Sequence, residues 1–178
     1  MSVAAACSGA DTILTAEVRA WIGRTSELTP LPEEISASDV RRYIEATGDR
    51  NPLWIDDAAA RSAGYRGRML PPMLLTELIW RLKQTELGRF TDRVPLPEIY
   101  SDTRNADNEL EWFEPVYIGD RLSIRHRIAD IVARQGRAGL GVYITRETDY
   151  VRQDGKLVAR VKQTIVRLPR SQSAKQER

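Results

Sequence analysis

Polar and apolar residues alternate most regularly in the second half of the chain. Leu122, Ile124, His126 and Ile128 share one face, and Ser123, Arg125 and Arg127 share the other. That two-residue period marks a strand with one buried face. Four β-type runs follow one another here: ELEWF (109–113), DRLSIRHRIADIVAR (120–134), GLGVYITRETDYVR (139–152) and KLVARVKQTIVRL (156–168). Gln135–Gly139 and Gln153–Gly155 carry Gly-rich turn chemistry between adjacent runs, so the last three strands should form an antiparallel meander.

The first half carries helical spacing instead. Thr15 can cap a short helix whose apolar face is Val18, Trp21 and Ile22, with Gly23 as its stop. Ser36-Ala37-Ser38-Asp39 has the capping-box pattern, and Val40, Tyr43 and Ile44 follow at helical intervals up to Gly48. DRNPLWI (49–55) reads as turn and loop, and Asp56-Asp57 open an Ala-rich helix ending at Gly64. Pro71-Pro72 precede MLLTELIWRLKQTELG, whose apolar residues at 73, 74, 75, 78, 79 and 82 form a broad stripe closed by Gly88. This should be the longest and most buried helix. VPLPEIYSDTRNADN (94–108) reads as loop. Helices first and long antiparallel strands last predict an α+β fold. Its compact form is a curved antiparallel sheet wrapped around the apolar helix, one face buried and one in water. The open sheet leaves an edge that a second chain could cover.

Composition narrows the chemistry. A chain of 178 residues, 42% hydrophobic and 29% charged, suits one domain with its own core and excludes global disorder. The expected layout is a domain over 13–168 with flexible tails at 1–12 and 169–178. The net charge is only +2, and the arginine pairs are interleaved with acids, so no nucleic-acid partner is expected. One Cys and one His exclude an internal disulfide and leave a Cys/His zinc site short of ligands. Cys7 lies in the N-terminal tail, where no reactive role is expected. The first ten residues lack a basic n-region. No stretch approaches the ~18 apolar residues of a membrane span. The cytoplasm is the expected compartment.

Three segments, in order, resemble the MaoC-type hot-dog hydratases. YIEATGDRNPLWIDD (43–57) resembles the signature Tyr-x-x-x-Thr/Ser-Gly-Asp-x-Asn-Pro-x-His-x-Asp. AGYRGRMLPPMLL (63–75) resembles the approach to the central helix, and EWFEPVYIGDRL (111–122) the Pro-Val…Gly-Asp entry into the sheet. The extra N-terminal helix and variant signature are most similar to the "dehydratase N-terminal", or FAS1-like dehydratase, branch. The resemblance implies a single hot-dog domain and an R-specific hydration of trans-2-enoyl thioesters. The thioester of coenzyme A or acyl-carrier protein is then a substrate, and no cofactor is implied. In the family an Asp/His dyad activates water, and a backbone N–H at the start of the central helix polarises the thioester carbonyl.

Carried over position by position, Asp49 stands at the dyad carboxylate, Asn51 and Pro52 at the Asn-Pro pair, and Trp54 at the His. Indole has no basic nitrogen. Pro72 aligns with the helix-start Gly and has no N–H to give. No residue of this chain is therefore assigned a catalytic role. Asp49, Asn51, Pro52, Trp54, Gly67, Arg68 and Pro72 are the expected substrate-binding positions. The resemblance further implies a hetero-dimer or hetero-tetramer with a catalytic MaoC-like chain that supplies the dyad, a homodimer being the other arrangement. Read on residues alone, Asp49 is a loop carboxylate ahead of a base, and Trp54 is equally a core plug or a tunnel wall. His126 reads as a satisfied core residue ahead of a substitute base. Arg68 is a solvated loop residue ahead of an anion ligand. A non-catalytic acyl-CoA-binding module and a thioesterase using Asp49 or Glu77 are the other functional readings.

Overall fold

A computed structural model describes residues 10–78, 87, 89–137 and 139–170. Residues 10–13 make a helical turn. The helices are α1 (Ala16–Arg19), α2 (Ala37–Thr47), α3 (Pro52–Ile55), α4 (Asp57–Ser62) and α5 (Leu74–Leu78), with a 3₁₀ turn at Phe90–Arg93. The strands are β1 (Thr29–Pro30), β2 (Asp102–Trp112), β3 (Leu122–Gly136), β4 (Gly139–Arg152) and β5 (Leu157–Leu168). They form one antiparallel sheet in the order β1-β3-β4-β5-β2. The α+β expectation holds, and β3, β4 and β5 are the meander that the turn residues predict.

The alternation in β3 is what the sheet uses. Leu122, Ile124, His126 and Ile128 are buried while Arg125 and Arg127 are exposed. The register shifts between Ile128 and Asp130, and burial passes to Ile131 beyond that bulge. Two apolar clusters fill the concave side. One holds Val40, Trp54, Leu74, Leu75, Leu78, Ile124 and Tyr150. The other holds Val18, Phe90, Ile128, Ile131 and Ile144. Tyr150 donates its hydroxyl to the Leu75 carbonyl at 3.1 Å, which ties α5 to β4. The central helix is described from Leu74 to Leu78, and its expected course over 79–88 lies largely outside the described residues.

Two local expectations are corrected. The loop expected over 94–108 ends earlier, because β2 begins at Asp102 and pairs with β5 from Asp102↔Leu168 to Trp112↔Ala159. Its Asp and Asn residues are poor strand formers, but an edge strand exposed on both faces tolerates them once the neighbouring strand fixes its register. Within the expected loop 49–55, Pro52–Ile55 form a helical turn. Asn51 accepts from the Leu53 N–H at 3.0 Å, and Pro52 occupies the first turn, where its missing N–H costs nothing.

Candidate functional site

The signature segment hangs from the end of α2. Ser36 and Asp39 form the capping box that starts this helix, and Gly48 ends it at φ 72°. The left-handed turn swings Asp49 back beneath the helix. Thr47 Oγ1 accepts from the Asp49 N–H at 3.3 Å. Asp49 Oδ1 accepts from the Asn51 N–H at 3.1 Å, and its Oδ2 accepts from Trp54 Nε1 at 3.0 Å. Both carboxylate oxygens are thus engaged by the loop itself. Trp54 is 7% exposed and belongs to the first apolar cluster.

A ring nitrogen points at the carboxylate, but it is a permanent donor and takes no proton from water. Asp49, Asn51, Pro52 and Trp54 come together as the sequence spacing suggests. Both readings of Trp54 meet in one place, since its ring is packed in the core and also lines a groove of about 620 Å³. Val40, Ile44 and Ile55 give that groove apolar walls, and Arg41, Arg50 and Arg68 stand around it.

Gly67 and Arg68 approach from the other side. The Arg68 N–H donates to Asp57 Oδ1 at 2.9 Å. A Cβ on Gly67 would lie 3.2 Å from that same oxygen, so the bare backbone permits the contact. Met69 N–H donates to the Leu53 carbonyl at 3.0 Å and Leu70 N–H to Val116 at 2.7 Å, which fastens this segment to α3 and to the entry of the sheet. A second hollow of about 270 Å³ lies between Arg61, Arg66, Arg68 and Tyr117. Arg66 stacks on Tyr117 at 4.2 Å and pairs with Asp120. Asp120, 1% exposed, also accepts from the Tyr117 N–H at 2.9 Å and from Gln153 at 3.1 Å. Pro72 is half-buried, and its carbonyl accepts from the Leu75 N–H at 3.2 Å.

His126 is buried in the sheet face with Nδ1 3.0 Å from Thr148 Oγ1 and its ring 6.0 Å from that of Phe90. Burial, and then the Arg146 charge, push its pKa down to about 3. An imidazole so reluctant to take a proton is a poor general base near neutral pH. Among the described residues its Nε2 and the buried Arg146 Nε have no hydrogen-bond partner. Tyr43, partly buried beside the groove, has its phenol pKa raised first by burial and then by the charges of Asp49 and Glu77. Glu77 is exposed. Among the described residues no group of three His, Cys, Asp or Glu side chains could hold a metal ion. No helix among them is long and apolar enough to cross a membrane.

Among the charged groove residues, Arg41, Glu45 and Arg50 were not expected from the sequence. Arg41 sits one helical turn from Ile44 on α2 and Arg50 inside the signature, but nothing in a sequence rich in arginine distinguishes them. Asp120 was legible only as part of a motif, and its role as a buried anchor comes from the fold.

A family model described as FAS1-like, dehydratase domain region, matches residues 20–161. The chain belongs to that family. It is 26% identical over 162 residues to a probable enoyl-CoA hydratase alpha subunit of Thermomonospora curvata, covering 84% of this chain and 50% of the relative. The chain thus spans half the length of that relative. Among solved structures it is similar to the ChsH1-ChsH2 complex of Mycobacterium tuberculosis, with a TM-score of 0.71, 23% identity, and coverage of 88% of this chain and 94% of that one. It is also similar to a MaoC-like dehydratase, with a TM-score of 0.70 and 22% identity, covering 85% of this chain and 43% of that one. These likenesses establish the MaoC-like hot-dog fold of this FAS1-like dehydratase domain.

Proposed function

We propose that the chain is a non-catalytic subunit of an R-specific enoyl-thioester hydratase, whose Asp/His dyad comes from a partner hot-dog chain. The observation that carries this reading is the Trp54–Asp49 hydrogen bond of 3.0 Å at the position of the dyad. A carboxylate committed to an indole N–H and a backbone N–H holds its loop in shape but has no imidazole with which to move a proton. Pro72 removes the N–H expected of a carbonyl-polarising helix start. The relative named as an alpha subunit and the fold shared with a two-component complex support a paired arrangement.

The groove over Trp54 is where this subunit contributes to the substrate. Apolar walls favour an acyl group, and Arg50 and Arg68 in the lining favour an anion such as the phosphates of coenzyme A or of phosphopantetheine, while Arg41 is paired with Glu45 at 3.8 Å. The thioester enters as substrate, and no cofactor is called for. The test is reconstitution. Trans-2-enoyl-CoA should be hydrated when this chain is co-expressed with a hot-dog chain carrying an intact Asp-x-Asn-Pro-x-His motif, and not by this chain alone. Hydration by the partner at an unchanged rate and acyl-length preference without this chain would remove its role in the substrate site. The groove also supports a second reading, an acyl-CoA-binding module outside any hydratase. It predicts acyl-CoA affinity with no effect of this chain on a hydratase partner.

A further inference from the structure

A polar seam crosses the concave face of the sheet and separates its two apolar clusters. Ile124 and Tyr150 of the first cluster stand on one side of it, and Ile128 and Ile144 of the second on the other. Between them β3 places His126, β4 places Thr148 and Arg146, and β5 places Gln163. His126 lies directly across from Thr148, and Arg146 directly across from Gln163. His126 and Arg146 are therefore diagonal neighbours on one face, close enough for their side chains to meet. Their electrostatics agree, since the Arg146 charge is, after burial, the second cause of the low pKa of His126.

Most of the seam satisfies itself. Arg146 Nη2 donates to Gln163 Oε1 at 2.7 Å, and Gln163 Nε2 donates to Asn105 Oδ1 at 3.2 Å. His126 Nδ1 and Thr148 Oγ1 are 3.0 Å apart. Two sealed atoms remain without a partner among the described residues, His126 Nε2 and Arg146 Nε. Buried polar atoms are rarely left so, because each has given up its hydrogen bonds to water. The charge is unanswered as well. Among the described residues no carboxylate forms an ion pair with Arg146. Asp92, whose charge reaches it, is paired with Arg167. A water molecule would complete the hydrogen bonds and leave the charge, whereas an anion answers both.

We propose that the seam is an internal anion site, in which Arg146 Nε and His126 Nε2 both donate to one small monovalent anion, a halide or the carboxylate of a short organic acid. The Thr148 hydroxyl then donates to His126 Nδ1, which fixes the tautomer with its proton on Nε2. His126 stays neutral, and the anion sets its charge against that of Arg146. None of these residues lines the groove over Trp54, and the site lies within one chain. It stands independently of the hydratase reading.

Thermal unfolding of the intact chain reads the site when chloride replaces the bulky anion gluconate at constant ionic strength. The Tm of the wild type should rise by about 3 °C for each tenfold increase in chloride above the dissociation constant. Arg146→Met should lose that dependence, whatever its own Tm. Formate in the same series separates the two sources, since the anion that raises Tm is the one the site takes. Wild-type crystals soaked in bromide should show an anomalous peak touching both nitrogens, and this decides the matter if Arg146→Met does not fold. A wild-type Tm that responds to neither anion would overturn the proposal. So would an equal response in a folded Arg146→Met variant, or a water molecule at the seam of bromide-soaked crystals.

Discussion

At the residue scale, the account turns on what surrounds two nitrogen heterocycles. Trp54 fills part of the core and donates its one N–H to Asp49. Trp54→Phe keeps most of the packing and leaves a half-satisfied carboxylate, so denaturant unfolding should show a loss of about 1–2 kcal/mol. An unchanged midpoint would mean that the indole N–H does not hold the loop. His126 predicts a pH dependence. Its folded pKa is pushed down to about 3 by burial and by Arg146, against an ordinary value of 6.5. The unfolded chain therefore binds a proton that the folded chain refuses. This contribution leaves stability intact above about pH 6.5 and erodes it as pH falls from there toward 3. Unfolding measured at pH 7.5 and 5.5 should differ by about 1 kcal/mol through this group. A His126→Gln variant should lose that increment of slope, and an unchanged slope would show that His126 is protonated in the folded state. Asp49 and Trp54 could be placed from sequence because a motif fixed their positions. Their hydrogen bond could not, because the direction of an indole N–H depends on the helical turn at Pro52–Ile55.

At the element scale, α2 and its exit position the whole signature. Gly48 sits at φ 72°, with nothing within 4 Å of where a Cβ would be. Gly48→Ala should thus act through backbone strain alone and cost about 1 kcal/mol, with a matching loss of acyl-CoA affinity if Asp49 moves. Thermal unfolding and ligand titration check the two parts together. The capping box, the αL stop and the β3 alternation were legible because each is a local pattern with a local cause. The start of β2 was not. Asp102, Asn105, Asp107 and Asn108 argue against a strand on propensity, and what overrides them is pairing with β5, more than fifty residues away. The helical turn at Pro52 was hidden by a similar conflict, since Asn-Pro signals a turn and a cap equally well.

At the scale of the whole molecule, one hot-dog domain holds the Asp49–Trp54 pair and the apolar groove that Trp54 lines. The α+β architecture was readable because the strands and turns of the second half follow one another in sequence, whereas the place of β2 beside β5 appears only once the register is known. Hydration of trans-2-enoyl-CoA by the purified chain alone is the most direct test of the central claim, that this chain lacks a working dyad. The account predicts no turnover above the buffer rate, before or after Asp49→Asn. Robust turnover by the chain alone, abolished by Asp49→Asn, would contradict it.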